Sequence, residues 1–222
     1  MTVENITYES FDVVYAHIDE YRALPEGFNQ WTLADESGWT IAHVAARMGL
    51  LPQTFNDWTL ATSCDDTVAH EYLRSRRQWP KNFHRLDLVG NHGTTTAHIA
   101  AQLGLLPKGF AQWDLADNDG WTVAHVCAFW GNLPPRFKKW DLADNDGWTV
   151  AHERAMCKPL PKKFDQWDLA DNDGQTVLDV ALTSDWFYAE NRKVTAPGYS
   201  VPSWALEEHT KTKPDLPSPC CP

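Results

Sequence analysis

A thirteen-residue phrase recurs along this chain at a nearly constant interval, and no other feature constrains the fold as much. The phrase WDLADNDGWTVAH occupies residues 113–125 and 140–152, and a third copy, WDLADNDGQTVLD, occupies residues 167–179. Three looser copies precede these, and they begin at Trp31, Trp58 and Leu86. Self-similarity at a fixed period indicates an architecture in which each repeat packs on its neighbours in sequence. The sequence therefore predicts a tandem array that forms one elongated domain.

Two landmarks count the repeats independently. The histidine that closes the phrase recurs at intervals of 27, 28, 27 and 27 residues, and Asp179 stands 27 residues after the last one. These histidines are His43, His70, His98, His125 and His152. The motif Leu-Pro-x-x-Phe keeps the same step, with one variant that begins at Trp79, and its regular copies begin at Leu24, Leu51, Leu106, Leu133 and Leu160. Both counts predict six repeats, and the one extra residue lies between His70 and Pro80.

Each repeat is predicted to begin with a short outer helix. Leu106, Phe110 and Trp113 fall at positions i, i+4 and i+7, which is one face of a helix. Pro107 suits the first helical turn, because a backbone N–H there has no partner within the helix. The segment LADNDG that follows is rich in turn-forming residues, and Gly120 can adopt a positive φ without steric strain. We therefore expect the outer helix to end in a tight turn or hairpin tip.

An inner helix is predicted to follow each tip. Thr122 stands where an N-cap belongs, and residues 123–129 read as the helix that it begins. Small side chains fall on one face of this helix at helical spacing, where they permit close approach of neighbouring helices. These small residues are Ala124, Cys127, Ala128 and Gly131.

The pattern Asp-x-x-Gly-x-Thr-x-Ala-His, followed by x-Ala-Ala-x-x-Gly at residues 35–49, resembles the core of an ankyrin repeat. The resemblance spans about residues 10 to 190. It implies an all-α, ankyrin-like helix-turn-helix solenoid with short turns or hairpin tips between repeats, and a structural role for the histidine. Two departures stand out: the period is 27 residues where ankyrin repeats have ~33, and the proline after the threonine is replaced by Ile or Val, or by Thr96 in one repeat. We expect the missing residues to come from the outer helix and the turn after it.

Four segments follow from this reading. Residues 1–30 are predicted to form an N-terminal cap and the first outer helix, and residues 31–182 the tandem ankyrin-like repeats. A C-terminal capping helix is expected over residues 183–193, because a solenoid needs an end unit with a polar outer face. Residues 194–222 form a Pro-rich tail that we expect to be extended or mobile.

Composition limits the partners and the compartment. The formal charge of −11 and the pI near 5.1 argue against general attraction to nucleic acid or to an anionic membrane, so we expect neither as a direct partner. The five cysteines show no framework of paired spacings, which favours reduced thiols. With no signal-peptide pattern at the N-terminus, we expect a cytoplasmic protein.

The residues that recur favour structural roles over catalysis. The histidine column could form a metal site, but Asp179 in the same place is better explained by hydrogen bonding at the helix start. The Asp-Asn-Asp-Gly turn lacks the ligands that a calcium loop needs at its first and twelfth positions, where Leu115 and Val126 stand. Nucleophile and phosphate-binding motifs do not occur in the sequence. We therefore predict no catalytic, cofactor-binding or metal-binding residues, and a protein that is not an enzyme.

Residues that differ between repeats are the candidates for recognition. At the turn tip, four residues before the histidine, three repeats carry Trp39, Trp121 and Trp148. An exposed indole at a tip would suit an interface, and the alternative that each indole packs on the next repeat stays open. On the inner helices an apolar and basic strip is predicted on the concave surface, and it comprises Phe129, Trp130, Arg154 and Met156.

A local basic stretch interrupts the acidic chain at the irregular third repeat. It includes Arg74, Arg76 and Arg77. Such a stretch is either a solvated face or a docking site for an acidic partner or phosphate.

Two functions fit these observations. The first is a non-enzymatic protein–protein interaction scaffold that binds a protein partner through turn tips and inner, concave helix faces. The alternative is an acidic inhibitor, host- or phage-encoded, that mimics nucleic acid and occupies the basic groove of a DNA- or RNA-binding enzyme. The row of acids for that role comprises Asp35, Asp114, Asp117, Asp119, Asp141, Asp144, Asp146, Asp168, Asp171 and Asp173.

Overall fold

The computed structural model describes residues 8–81 and 83–184 of the chain. The predicted tail, almost all of the predicted C-terminal capping helix and the first seven residues of the predicted N-terminal cap lie outside the described residues. Two compact units are present, an N-terminal unit within Met1–Phe110 and a C-terminal unit within Ala111–Pro222. The bounds of the four segments that the sequence predicts stay a prediction.

One short helix per repeat dominates the described structure. In the N-terminal unit the helices are α1 (Phe11–Tyr21), α2 (Ile41–Met48), α3 (Val68–Arg76) and α4 (Thr96–Leu103). In the C-terminal unit they are α5 (Val123–Trp130), α6 (Val150–Cys157) and α7 (Val177–Thr183). Within the described residues, β pairing is confined to isolated antiparallel bridges that close the tips, such as Ala116 with Thr122. The described residues also include a 3-10 turn, Asn91–Gly93, at the tip before α4.

The inner helices begin and end as the sequence predicts. Before α5, Thr122 has an extended backbone, and its hydroxyl oxygen accepts a hydrogen bond from the His125 backbone N–H at 3.3 Å. The backbone N–H of Thr122 in turn donates to the His125 ring nitrogen Nδ1 at 3.1 Å. These reciprocal bonds satisfy amides that a helix start leaves without partners. Gly131 ends the helix with φ of 78°, a conformation that glycine adopts without strain.

The prediction of an outer helix in each repeat is wrong, because no such helix is present in the described repeats. Where the sequence predicts helix, the chain makes two consecutive turns in several repeats. In the last described repeat, Phe164 donates its backbone N–H to the Pro161 carbonyl at 2.9 Å, and Leu169 donates to the Gln166 carbonyl at 3.4 Å. Both bonds join residues three apart, whereas an α-helix joins residues four apart. Residues 131–142 lie between α5 and the bridge that closes the next tip at Ala143, and turns occupy them in place of a helix.

Aromatic side chains carried by these turns pack where an outer helix would lie. In the C-terminal unit the rings of Trp113, Phe137, Trp140, Phe164 and Trp167 contact one another in succession, with centroid distances of 5.4, 5.1, 5.8 and 5.1 Å. Their planes meet at 81° to 88°, the edge-to-face arrangement that aromatic quadrupoles favour. The N-terminal unit repeats this pattern through Phe28, Trp31, Phe55 and Trp58. The spacing that suggested a helix face therefore encodes an aromatic stack.

Small side chains let the inner helices of each unit pack closely. Ala124 and Ala128 of α5 are fully buried and form a cluster with Phe137 and with Val150 of α6. The next interface along the chain repeats this arrangement between α6 and α7. Among the described residues, no helix has both the length and the apolar content needed to cross a bilayer.

Candidate partner-binding surface

The tip of each regular repeat is a hairpin held by one aspartate. In the tip before α6, the Oδ1 atom of Asp144 accepts hydrogen bonds from the backbone N–H groups of Asp146 and Trp148, each at 2.9 Å. Gly147 has φ of +76°, which allows the chain to reverse. Asp117 and Asp171 hold the neighbouring tips in the same way. The first acid of the Asp-Asn-Asp-Gly turn is therefore structural.

Asparagine joins successive tips of the C-terminal unit. The backbone N–H of Asn145 donates to the Asp119 carbonyl at 3.1 Å, and its side-chain amide donates to the Asn118 carbonyl at 3.0 Å. Asn172 bonds in the same way to the carbonyls of Asp146 and Asn145, at 3.0 and 3.1 Å. Three tips thus form one hydrogen-bonded row. Such a row holds the remaining exposed carboxylates in fixed register.

Each of His43, His70, His125 and His152 connects its inner helix to the tip that follows. The Nε2 atom of His125 lies 2.9 Å from the Trp148 carbonyl oxygen, which can only accept, so Nε2 carries the hydrogen. Its Nδ1 atom therefore accepts from the backbone N–H and hydroxyl of Thr122, at 3.1 and 2.7 Å. This arrangement requires a neutral ring, and burial lowers the pKa of His125 below its ordinary value. Burial lowers the pKa of His43, His70 and His152 as well.

Asp179 shows why another residue can close the last described repeat. Its Oδ2 atom accepts from the backbone N–H and hydroxyl of Thr176, at 2.9 and 2.6 Å, so the helix cap is preserved. A carboxylate has no N–H to give to a carbonyl in a following tip, and the structure describes no tip beyond this one. Among the described residues there is also no group of three or more His, Cys, Asp or Glu that could hold a metal ion.

The three tip tryptophans are half-buried and lie on the histidine of their own repeat. The ring centroids are 5.0 Å apart in each pair, Trp39 with His43, Trp121 with His125 and Trp148 with His152. Trp148 is held further, because its indole N–H donates to the Glu153 carboxylate at 3.0 Å. Each indole thus covers a buried ring of its own repeat and keeps part of its surface accessible.

An open groove lies along the tips of the C-terminal unit, with a volume of about 500 Å³. We call it the tip groove, and its lining residues are Trp121, Asp144, Asp146, Trp148, Asp171, Asn172 and Asp173. The groove brings together two of the predicted tip residues, Trp121 and Trp148. It also contains acids that the sequence predicts only as part of a general acidic row. The signal that could have found the groove is the shared register: residues 27 apart lie at neighbouring tips.

The inner-helix candidates have different surroundings. Trp130 is 38% exposed and meets the Phe129 ring edge to face at 5.5 Å. Arg154 is half-buried and donates from Nε to the Pro159 carbonyl at 3.1 Å. Met156 is half-buried against the core between α6 and α7. Of the four residues in the predicted strip, Trp130 is therefore the most accessible.

The basic stretch at the third repeat is partly neutralised. Arg74 forms an ion pair with Asp66 at 2.6 Å, and Asp66 occupies the tip position that tryptophan holds elsewhere. Arg76 is exposed, and its guanidinium lies so close to Gly49 that a side chain there would meet it. Arg77 is exposed as well and ends α3 with φ of 52°. Arg76 and Arg77 thus stay candidates for contact with an acidic partner.

The short helices and the repeated tips give this chain an ankyrin-like, all-α repeat fold, which confirms the fold class predicted from the sequence. Among the solved structures that it resembles is the crystal structure of the ankyrin repeat domain of Bcl-3, described as a unique member of the IkappaB protein family. The two chains are 16% identical and superpose with a TM-score of 0.50, over 77% of this chain and 89% of that one. At this identity the likeness concerns the fold alone. No family model matches the chain, and no curated protein matches it in sequence.

Proposed function

We propose that this protein is a non-enzymatic scaffold that binds a protein partner through its turn tips and inner helix faces. The observation that carries the proposal is the tip groove, in which two indoles and four carboxylates lie on a row of hydrogen-bonded hairpins. Indoles give large contact area at an interface, and a preformed surface loses little conformational entropy when it binds. Trp130 on α5 extends the candidate surface to the inner helices.

The reactive side chains of the described repeats support binding over catalysis. Both ring nitrogens of His125 are hydrogen-bonded, Nδ1 within its own helix cap and Nε2 to the next tip. Burial raises the pKa of the Cys127 thiol to about 12, so this thiol stays protonated and is a poor nucleophile. We propose no cofactor, and no direct contact with nucleic acid or with a membrane. A cytoplasmic, reducing compartment suits the accessible Cys64 thiol.

The test is capture of partners from the native cell with the full chain and with matched tip variants. Trp121→Gln and Trp148→Gln copy the residue that Gln175 places at the same register, so the tip is expected to fold. Trp130→Ala tests the inner helix, and Lys108→Ala, outside both surfaces, is the control. We expect a protein that wild type and the control retain and that at least one of the three tryptophan variants loses. Equal retention by all variants, or no protein above a bead control, contradicts the proposal.

A further inference from the structure

We infer that the tip groove receives an arginine-bearing, basic segment of a protein partner. This inference rests on the proposed binding function and names the chemistry of the partner at that site. It draws on the charge of the groove, on its indoles and on its rigidity, and each of these observations is independent of the fold resemblance.

The groove concentrates negative charge that the described chain does not neutralise there. Asp146 and Asp173 are exposed, while Asp144 and Asp171 use Oδ1 for their own turns. The ion pair of Lys139 with Asp114, at 3.4 Å, lies outside the groove. A chain with net charge −11 adds to the field at this surface. Charge complementarity therefore selects a cationic occupant.

The two indoles select arginine among cations. A guanidinium is planar, stacks on an aromatic ring, and donates two parallel hydrogen bonds to a carboxylate. Trp121 and Trp148 line the groove together with carboxylates of two successive tips, so the groove offers a guanidinium both indoles and carboxylates. The lysine ammonium carries a similar charge, but it lacks a plane to stack and cannot form the paired hydrogen bonds.

The groove is held in place before any partner arrives. Asn145 and Asn172 fix the tips to one another through two hydrogen bonds each. The Trp148 side chain is also fixed, because its indole N–H donates to the carboxylate of Glu153, a residue that is only 2% exposed. A site with so few internal degrees of freedom loses little entropy when it binds a flexible segment. A short extended peptide is therefore a fair probe of the site.

The experiment measures binding of a fluorescent synthetic peptide of alternating arginine and glycine to the full chain, by anisotropy at low salt. A peptide with citrulline in place of arginine keeps the shape and removes the charge, and a lysine–glycine peptide keeps the charge and removes the plane. We expect the arginine peptide to bind at least about tenfold more tightly than the citrulline peptide, and about threefold more tightly than the lysine peptide.

Matched variants place the binding in the groove. Asp146→Asn with Asp173→Asn removes two groove charges, and Asp141→Asn with Asp168→Asn removes two exposed charges outside the groove. The first pair is expected to weaken arginine-peptide binding about fivefold or more, and the second pair by less than about twofold. Trp148→Gln is expected to weaken it about threefold. Circular dichroism checks that each variant is folded.

Four results would overturn the inference. The first is equal binding of the arginine and citrulline peptides, and the second is equal weakening of binding by the two aspartate pairs. The third is tighter binding of a glutamate–glycine peptide than of the arginine peptide. The fourth is self-association of the chain that the groove variants abolish, while no peptide binds. The last result would assign the groove to a second copy. If no peptide binds but cell capture still depends on Trp130, the proposed scaffold function stands and the arginine-binding groove does not.

Discussion

Each of the buried histidines His43, His125 and His152 carries out three tasks with one ring. It caps the inner helix through Nδ1, binds the next tip through Nε2, and supports an indole where the tip carries tryptophan. The first two tasks depend on a single neutral tautomer, in which Nε2 carries the hydrogen and Nδ1 accepts. Because a second proton would occupy Nδ1, protonation removes the acceptor for both the backbone N–H and the hydroxyl of Thr122.

Acid is therefore expected to destabilise the protein from near neutral pH downward. The pKa values of His43, His70, His125 and His152 are lowered by burial, so the unfolded chain takes up these protons at a higher pH than the folded chain. Their contribution to stability is complete above the ordinary value of 6.5 and is lost as pH falls from there through the lowered values. Thermal melting followed by circular dichroism between about pH 7.5 and about pH 5 measures this. An unchanged Tm over that range would contradict it.

Glu153 is expected to act in the opposite direction. Its carboxylate accepts from Trp148 at 3.0 Å, and burial raises its pKa above the ordinary 4.5. The folded chain therefore keeps this proton to a higher pH than the unfolded chain, so stability falls as pH rises through the raised value. Glu153→Gln keeps an oxygen for the indole N–H and removes the charge. We expect it to raise the free energy of unfolding at pH 7 by about 1 kcal/mol, measured in urea.

The control for that variant is Glu153→Val, which copies Val126 at the same register of the preceding repeat. It removes the charge and the indole's acceptor together, so it separates the two contributions. The tip groove of Glu153→Val should lose arginine-peptide affinity, whereas that of Glu153→Gln should keep it. If Glu153→Gln is less stable than wild type at pH 7, the hydrogen bonds of the Glu153 carboxylate offset the cost of burying its charge, and the prediction is wrong.

At the scale of the element, the inner helices were predictable and the outer turns were not. Thr122, His125 and Gly131 each have one strong local role, and together they mark where α5 begins and ends. Leu106, Phe110 and Trp113 have a helical spacing, but the same spacing serves aromatic side chains on successive turns. Sequence periodicity cannot separate these cases, because packing between repeats decides them. That packing also explains why the acids of neighbouring tips line one groove.

Two glycines at the same register give a matched test of tip packing. Gly147 and Gly174 both have positive φ, +76° and +82°, so alanine at either costs about 1–2 kcal/mol of backbone strain. At Gly147 an added Cβ would lie 2.8 Å from the Asn172 backbone nitrogen, whereas at Gly174 nothing in the described part of the chain lies within 4 Å. Gly147→Ala should therefore lose at least about 1 kcal/mol more than Gly174→Ala in urea unfolding. Equal losses would show that the tips yield without cost.

The whole chain combines strong packing within each unit with a large excess of negative charge. Neighbouring repeats supply the packing, as in other arrays whose stability comes from adjacent contacts. The charge of −11 destabilises the folded chain through repulsion among its carboxylates. Exposed ion pairs such as Arg85 with Asp87 contribute little stability to offset it. Part of this charge, the carboxylates of Asp144, Asp146, Asp171 and Asp173, lines the tip groove on two successive tips.

Salt is therefore expected to stabilise the protein. Raising NaCl from about 20 mM to about 500 mM shortens the screening length and weakens repulsion among the carboxylates more than it weakens the few exposed ion pairs. We expect Tm to rise across this range. The double variant Asp146→Asn with Asp173→Asn should melt above wild type at low salt, and the difference should shrink at high salt because screening does the same work as the substitution. If the variant melts below wild type at low salt, these carboxylates stabilise the tips, and the tip groove does not hold charge at the expense of stability.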